Sequence, residues 1–470
     1  MLLEADSSLE RVAIPWLHVL REHPVFLKDY QDLMAPSSFL PKAISLLGLS
    51  VSRVLFPLRL VSRVLRSSGR FWHGSLPEGG AVDYVFLSHL LEASQLSAVD
   101  DFYFGETPRE LVQRGKSVLI VLINHTSQTG DALEPSLRKS PIPRVVISRV
   151  FSAEHELVIW RRTLKVAARL HRAASVTRDR LRRAILRRAT IEATREGTKT
   201  SLRISRVIFE IVARCSAKTI LTTYEGHSWE RVVFAAAREA KSNIYCIGYQ
   251  HAALFRLQHS AKRSLGARFD PDQILTAGQV GLRQLQSAAG LSGVSLGVLG
   301  SSRSLKKTNS LINASSCLVL PEGLFEECRI LFLFSLECAR ASPNIHFIWR
   351  LHPIISFNSL IEKIAALRSL PPNIEVSEMS FVDDISRGAW ALYRGSTAAI
   401  SAAANGVVPI YLRQPGELSI DPLYEISDKH LSVETISQFT DALRGTQWTD
   451  ESKSYCKEFY APINSSVLID

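Results

Sequence analysis

No stretch of this chain approaches the roughly 20 uninterrupted apolar residues that a membrane span requires. Its opening, MLLEADSSLERV, is acidic where a secretory signal begins with positive charge, so no signal peptide is expected and a cytoplasmic location is. The six cysteines (Cys215, Cys246, Cys317, Cys328, Cys338, Cys456) are scattered, most of them inside apolar runs. None stands in a CxxC pair or at Cys/His ligand spacing, which argues against a zinc site and for buried, reduced thiols. Solenoid-period repeats and low-complexity tracts are both missing. So are a GxGxxG fingerprint and a P-loop lysine, which excludes a dinucleotide or Walker-type phosphate site.

What is present is an ordinary globular composition, 46% hydrophobic and 21% charged, over 470 residues. That length exceeds one compact core and predicts two domains with an N-terminal appendage. The formal net charge is +11, much of it within residues 52–70 and 161–188. Such an excess attracts nucleic acid, anionic headgroups or phosphorylated small molecules, or simply marks a solvated helix face. Residues 43–66 set Arg53, Arg59, Arg63 and Arg66 among leucines and valines, with Pro57 breaking any helix. Two readings stay open for that segment: peripheral contact with the inner face of the cytoplasmic membrane, or packing on the neighbouring domain. Aromatic residues do not interleave with the basic runs and no nucleic-acid module is visible, so nucleic acid is not an expected partner.

From residue 82 the pattern becomes short apolar strands alternating with longer amphipathic segments, which predicts parallel sheets covered on both faces. Strands are read at 82–90, 116–126, 143–150 and 272–278; residues 217–240 read as strand, loop and helix and 242–252 as strand and loop, and a long basic helical region runs from 150 to about 214. Residues 300–314, GSSRSLKKTNSLINA, lack periodicity and read as a linker. The alternation then restarts with SCLVLPEG, NIHFIWRLHP, NIEVSE, GAWALYRGST and GVVPIYLR. The predicted organisation is a helical and basic region at 1–80, a Rossmann-like acceptor domain at 81–300, a linker at 301–314 and a nucleotide-sugar-binding Rossmann-like domain at 315–470.

Ligands of open α/β sheets bind at the carboxyl ends of strands. Those ends carry Ser88-His89, Asn124-His125-Thr126, Tyr224-Glu225-Gly226-His227, Tyr249-Gln250-His251, Glu322-Gly323, Arg350-Leu351-His352-Pro353 and Arg394-Gly395-Ser396-Thr397. In the last group a buried strand runs into a small-residue helix, whose first N–H groups and dipole favour an anion. Gly395 gives a phosphate close approach, and Ser396 and Thr397 offer hydroxyls; the alternative is that Ser396 only caps the helix. Arg350 and His352 lie on one side of their strand, with Pro353 fixing the turn, and are placed to neutralise a leaving phosphate. Glu225 is the first candidate for a general base and His251 its rival. Asn124, His125, His227 and Gln250 are candidates for binding acceptor hydroxyls. Glu322 and Gly323 are candidates for the donor's base or ribose, and Glu417 for a ribose hydroxyl.

The pair RLHP and YRGST resembles the His-Pro and Ser/Thr motifs of bacterial sialyltransferases, polysialyltransferases and Kdo transferases, and a similar pair occurs in teichoic-acid glycerophosphotransferases. Together with DYVFLSHL, VLINHT, YEGHSWE, GYQHAAL and LPEG, it makes the chain look like bacterial surface-carbohydrate proteins of capsule and O-antigen assembly. The resemblance implies the GT-B fold: α/β, two Rossmann-like domains with parallel sheets facing across a cleft. It also implies that His352 and Ser396/Thr397 hold the donor's phosphate. Tyr224-Glu225-Gly226 is similar to the acidic-acidic-Gly motif that supplies the base in the sialyltransferases, but has Tyr at the first acidic position. No spaced aspartate pair follows a strand, since Asp383 and Asp384 are adjacent, so neither a catalytic metal nor a cofactor is expected beyond the nucleotide-sugar co-substrate.

Three functions follow. The first is an inverting, metal-independent glycosyltransferase moving a sugar from a nucleotide, with CMP-Kdo or CMP-sialic acid favoured, to a polysaccharide or lipid-linked glycan. The second is a sugar-nucleotide epimerase of the same double-Rossmann fold. The third is a non-catalytic protein that binds anions or nucleic acid.

Overall fold

A computed structural model describes residues 2–5, 7–19, 23, 24, 27, 30, 69–77, 79, 81–303, 315–444 and 448–469. The arginine-rich segment 43–66 and most of the linker, 304–314, lie outside them.

Fourteen strands among the described residues form two sheets. The first contains β1 (Trp72–His73), β2 (Tyr84–Leu90), β3 (Val118–Asn124), β4 (Arg144–Ile147), β5 (Thr219–Thr223), β6 (Tyr245–Gln250), β7 (Gln273–Thr276) and β8 (Ser295–Val298). Its order is β1-β4-β3-β2-β5-β6-β7-β8, parallel except for the antiparallel edge strand β1. The second contains β9 (Ser316–Leu320), β10 (His346–Trp349), β11 (Ile374–Val376), β12 (Trp390–Tyr393), β13 (Val408–Leu412) and β14 (Leu431–Val433). It is parallel throughout, in the order β11-β10-β9-β12-β13-β14. Apart from the edges of the first sheet, each has the doubly wound order 3-2-1-4-5-6. The chain is therefore two Rossmann-like domains in series, as the alternation predicts. Strands β1, β8 and β14 go unread in the sequence because each is short and none has a continuous apolar run.

The strands read as near-continuous apolar runs because both faces are covered. Val85 and Leu87 enter one core of the first domain, and Tyr84 and Phe86 the other. Leu318 and Leu320 face one side of the second sheet, and Cys317 and Val319 the opposite side. All six cysteines are buried and unbridged. The basic region after β4 is three helices, Ala153–Val176, Arg180–Glu192 and Glu196–Cys215. The third lies on the sheet through Leu202, Val207, Ile208 and Ile211.

The C-terminal residues, read in sequence as part of the second domain, return to the first. Asn464 donates its N–H to Leu299 at 2.7 Å, and Ala461 to Ala277 at 2.9 Å. The Tyr84 hydroxyl donates to the Leu468 carbonyl at 2.5 Å and the Ser465 hydroxyl to Glu110 at 2.5 Å. Phe459 and Tyr460 share a core with Ala277 and Val280 of the first domain and Tyr393 of the second. Truncation after Glu458 strips these partners from Tyr84 and Glu110 and removes the buried Phe459 and Leu468. The expected cost is roughly 3–6 kcal/mol, read by calorimetry as a lower melting temperature of the transition that contains the first domain.

Candidate functional site

In doubly wound sheets the strand order reverses at one place, and the connections there leave to opposite faces, opening a crevice at the carboxyl edge. Here the reversals fall between β2 and β5 and between β9 and β12. The first ends in Ser88-His89 and Thr223-Tyr224-Glu225, the second in Glu322-Gly323 and Arg394-Gly395-Ser396-Thr397.

At the first crevice the loop after β5 is fixed before any ligand arrives. The N–H groups of Glu225, Gly226 and His227 all point at the Glu230 carboxylate, at 3.0, 2.7 and 2.8 Å. Glu230 lies in the first turn of helix Ser228–Ala240 and closes a capping box with His227. Burial pushes its carboxyl up to about 7, against the pull of His227 and the loop N–H groups. Gly226 has φ +82°, and a Cβ there would meet the Ser260 carbonyl carbon at 2.3 Å, so only glycine fits. Tyr224, at the position where the similar motif has an acid, is a fully buried core side chain under the Arg231 guanidinium. The acidic-acidic-Gly likeness thus reduces to Glu225 alone.

Around Glu225 gather four histidines from four strand ends. His227 Nε2 lies 3.3 Å from Glu225 Oε2. Burial opposes its charge, but the hydrogen bond to Glu225 and the charges of Glu230 and Glu225 outweigh burial and hold it above its ordinary value. His89 bridges His125 at 2.9 Å and the Thr223 hydroxyl at 3.1 Å. Burial and then the neighbouring imidazoles take His89 down to about 3. His125 is lowered by burial and by Arg149. His251, after β6, is taken down to about 4 by burial, with Glu225 opposing and Arg303 assisting. Its Nδ1 is buried. Aromatic edges join these rings: Trp229 to His89 at 5.3 Å, His89 to Tyr103 at 5.3 Å, and Tyr103 to His251 at 4.8 Å.

The other two acceptor candidates are committed to the protein. Asn124 Oδ1 accepts from the N–H and hydroxyl of Thr126, and its amide donates to Gln128, so it builds its loop. Gln250 is buried and donates to the Ala252 carbonyl. Both corrections share a cause: a polar side chain at a tight strand-to-loop exit satisfies local backbone groups first. Asn124 still lines a cavity of about 580 Å³ beyond β3 and β4, with Arg149, Ile147, Val150 and Ile204.

At the second crevice the predicted cations are paired with acids. Arg350 donates to the buried Asp384 carboxylate at 2.7 Å and to the Met379 carbonyl at 2.8 Å. Arg394 donates to Glu327 at 2.6 Å and Glu417 at 2.7 Å, so Glu417 is held by Arg394 and is not left for a ribose. Gly395 does permit a close approach, but the group that uses it is Glu322: a Cβ on Gly395 would fall 1.8 Å from Glu322 Oε1. His23, from the N-terminal region, lies buried 3.2 Å from the other Glu322 oxygen. His352 rests on Gly323, where a Cβ would meet its Nδ1 at 2.8 Å. Burial lowers its pKa, with Glu322 opposing and Arg303 assisting. Its Nδ1 accepts the Ile354 N–H at 3.4 Å, so the neutral ring carries its proton on Nε2. Pro353 is exposed in the turn. The helix after Thr397, Ala398–Ala404, has seven residues, too short for its dipole to dominate. Ser396 does not cap it: the cap position is Thr397, and no side chain makes the cap bond.

Arg303 was hidden in a segment read as linker, yet its charge depresses both His251 in the first domain and His352 in the second. Tyr103 lies outside every motif and Trp229, within YEGHSWE, has no role assigned from the sequence; only the fold brings them to the histidines. Among the described residues, no group of three or more His, Cys, Asp or Glu side chains is placed to hold a metal ion.

No protein-family model matches the sequence and no curated protein matches it. Solved structures with similar folds include Acinetobacter baumannii MurG, at 11% identity and a TM-score of 0.45 over 83% of this chain and 98% of that one. The UDP-GlcNAc 2-epimerase of Neisseria meningitidis bound to UDP-GlcNAc gives 12% identity and a TM-score of 0.43 over 83% and 98%. The glycosyltransferase of kitacinnamycin gives 12% and 0.42 over 81% and 95%. At these scores the likeness decides nothing about chemistry, and the fold rests on the strand order.

Glu230 gives this site a stability signature. Its folded pKa, about 7, stands above the ordinary 4.5, so the folded state holds the proton more tightly and stability falls as pH rises between those values. Glu230→Gln is expected to flatten that slope in melting temperatures from pH 5 to 8. It should also cost about 1–3 kcal/mol by leaving loop N–H groups short of acceptors.

Proposed function

We propose that this protein is a glycosyltransferase that uses a nucleotide-activated sugar, with the donor in the second crevice and the acceptor in the first. The observation that carries the reading is the paired reversals. Each sheet's crevice is lined with titratable and hydroxyl side chains, and Arg303 stands within electrostatic reach of a histidine from each.

Because Glu322 is buried and paired with His23, the donor's ribose lies beside Gly323. Its phosphate takes the Nε2 proton of His352 as a hydrogen bond, the hydroxyls of Ser396 and Thr397, and the charge of Arg303. The acceptor hydroxyl attacks the anomeric carbon as the bond to the phosphate oxygen breaks, which inverts the configuration. The hydroxyl proton passes to His251, and the negative charge left on the phosphate is met by donors already in place. His251 is preferred to Glu225 as base because its imidazole is neutral near pH 7, whereas Glu225 is paired with His227. Glu225 then stabilises the imidazolium as it forms. The RLHP and RGST pair favours a CMP-linked donor, and a bacterial surface polysaccharide or lipid-linked glycan as acceptor.

Thermal shift against CMP, CDP, UDP and GDP tests the donor: the correct base raises the melting temperature by mass action. His352→Ala is expected to abolish that rise. An unchanged nucleotide affinity in this variant would falsify the donor site. Incubation with donor alone separates an epimerase, which converts the sugar, from a transferase, which at most hydrolyses it.

The base is tested by pH. With His251 as base, kcat/KM falls as pH drops through about 4, where the imidazole gains its proton. His251→Ala is expected to lose roughly 100- to 10,000-fold in kcat. Glu225→Gln should keep more activity and move the acid limb lower, since the Glu225 charge raises His251. A larger loss in Glu225→Gln than in His251→Ala reverses the two roles.

A further inference from the structure

The β4–β5 crossover needs one helix, and Glu196–Cys215 fills that role by packing on the sheet. Helices Ala153–Val176 and Arg180–Glu192 are an antiparallel hairpin inserted before it. The hairpin has its own small core: Val166, Ala167, Leu170 and Ala174 of the first helix meet Leu186 and Ala189 of the second, with Ile14 behind them. Over residues 153–192 the chain has eleven Lys and Arg against four acids, Glu154, Glu156, Asp179 and Glu192, a net charge of +7. Few of these cations are answered by the described residues. Arg162 pairs with Glu10 and Arg188 with Glu192, while Arg161, Lys165, Arg169, Arg172, Arg180 and Arg182 are exposed.

A second, independent feature sits at the hairpin turn. Val176 is 78% exposed and Leu181 43%, one on each side of the turn. Arg172, Arg178, Arg180 and Arg182, all exposed, stand within four residues of one or the other in the chain. A turn meant only for water has no use for two exposed apolar side chains. The hairpin also has both feet at the 580 Å³ cavity: Arg149 and Val150 precede its first helix, and Glu196 and Thr200 follow its second, and all four line the cavity.

We propose that the hairpin 153–192 seats the protein on an anionic phospholipid bilayer, with Val176 and Leu181 entering the headgroup–acyl boundary and the neighbouring arginines meeting lipid phosphates. Apolar side chains flanked by cations suit that boundary, since the apolar groups gain by burial and the arginines by the negative surface potential. Docking itself does not depend on the transferase reading. It rests on that reading only for its purpose, which is to hold the first domain beside a membrane-borne acceptor.

Flotation of the full chain with vesicles of phosphatidylcholine, with and without phosphatidylglycerol, tests the proposal. Binding is expected with the anionic vesicles only, and to weaken as salt shortens the reach of the charges. Arg172→Glu, Arg180→Glu and Arg182→Glu together should weaken it at least about 100-fold, because each basic residue near the surface contributes roughly fivefold. As a gain-of-signal measurement, a tryptophan introduced by Val176→Trp should shift to the blue and be quenched by brominated acyl chains. Equal binding to uncharged vesicles, or no quenching at that tryptophan, overturns the proposal. So does binding to duplex DNA as tight as to anionic vesicles with no effect of Val176→Asp and Leu181→Asp. The nucleotide thermal shift, expected unchanged in every hairpin variant, keeps a failure of docking separate from a failure of the donor site.

Discussion

The reversal of strand order in each sheet is the constraint from which the candidate site follows. Right-handed crossovers force the helices after β2 and β5, and after β9 and β12, to opposite faces, so nothing regular covers the carboxyl ends between them. Exposed strand ends leave backbone groups that loops must satisfy, and the loops do so with side chains. Glu230 gathers three loop N–H groups, Asn124 ties its own turn, and Asp384 anchors Ser377 and Arg350. The chemistry-bearing residues are those left over once that accounting is complete.

This division explains which residues were legible in the sequence. Strands with both faces buried announce themselves as apolar runs, so both sheets and the domain order could be read. The carboxyl-end rule then put Glu225, His227, His251, Glu322, His352 and Ser396 at the two crevices. It could not separate a ligand-binding side chain from one spent on the protein, because both are polar and occupy the same kind of position. Arg350, Arg394, Asn124, Gln250 and Glu417 were therefore assigned to substrates and are held by internal partners. Pairs such as Arg394–Glu327, 67 residues apart, leave no local pattern.

The missed residues fail for the opposite reason. Tyr103 and Trp229 meet His89 only because β2, β3 and β5 are neighbours, and Arg303 acts on both domains only because the linker begins where the two come together. Their roles are properties of the fold, and no spacing in the chain encodes them.

Charge is distributed by the same logic. At the two crevices acids and bases nearly cancel: Arg394 against Glu327 and Glu417, Arg350 against Asp384, His227 against Glu225. If the proposed nucleotide donor binds there, such balance favours release, since a large uncompensated positive field would retain the product. The protein's net positive charge resides elsewhere, chiefly on the inserted hairpin, net +7 over residues 153–192, and in residues 52–70, which carry five arginines and no acid. Under the two proposals, docking on an anionic surface and turnover at the crevice fall to different parts of one domain. Their connection is the cavity at the hairpin's base, whose lining joins Asn124 and Arg149 at the strand ends to Glu196 and Arg203 of the returning helix. Arg203 is itself clamped by Glu156 and Glu196, at 2.7 and 2.6 Å, so the first turns of the two helices that flank the cavity are tied to each other. The hairpin is thus anchored to the first domain at the edge of that cavity.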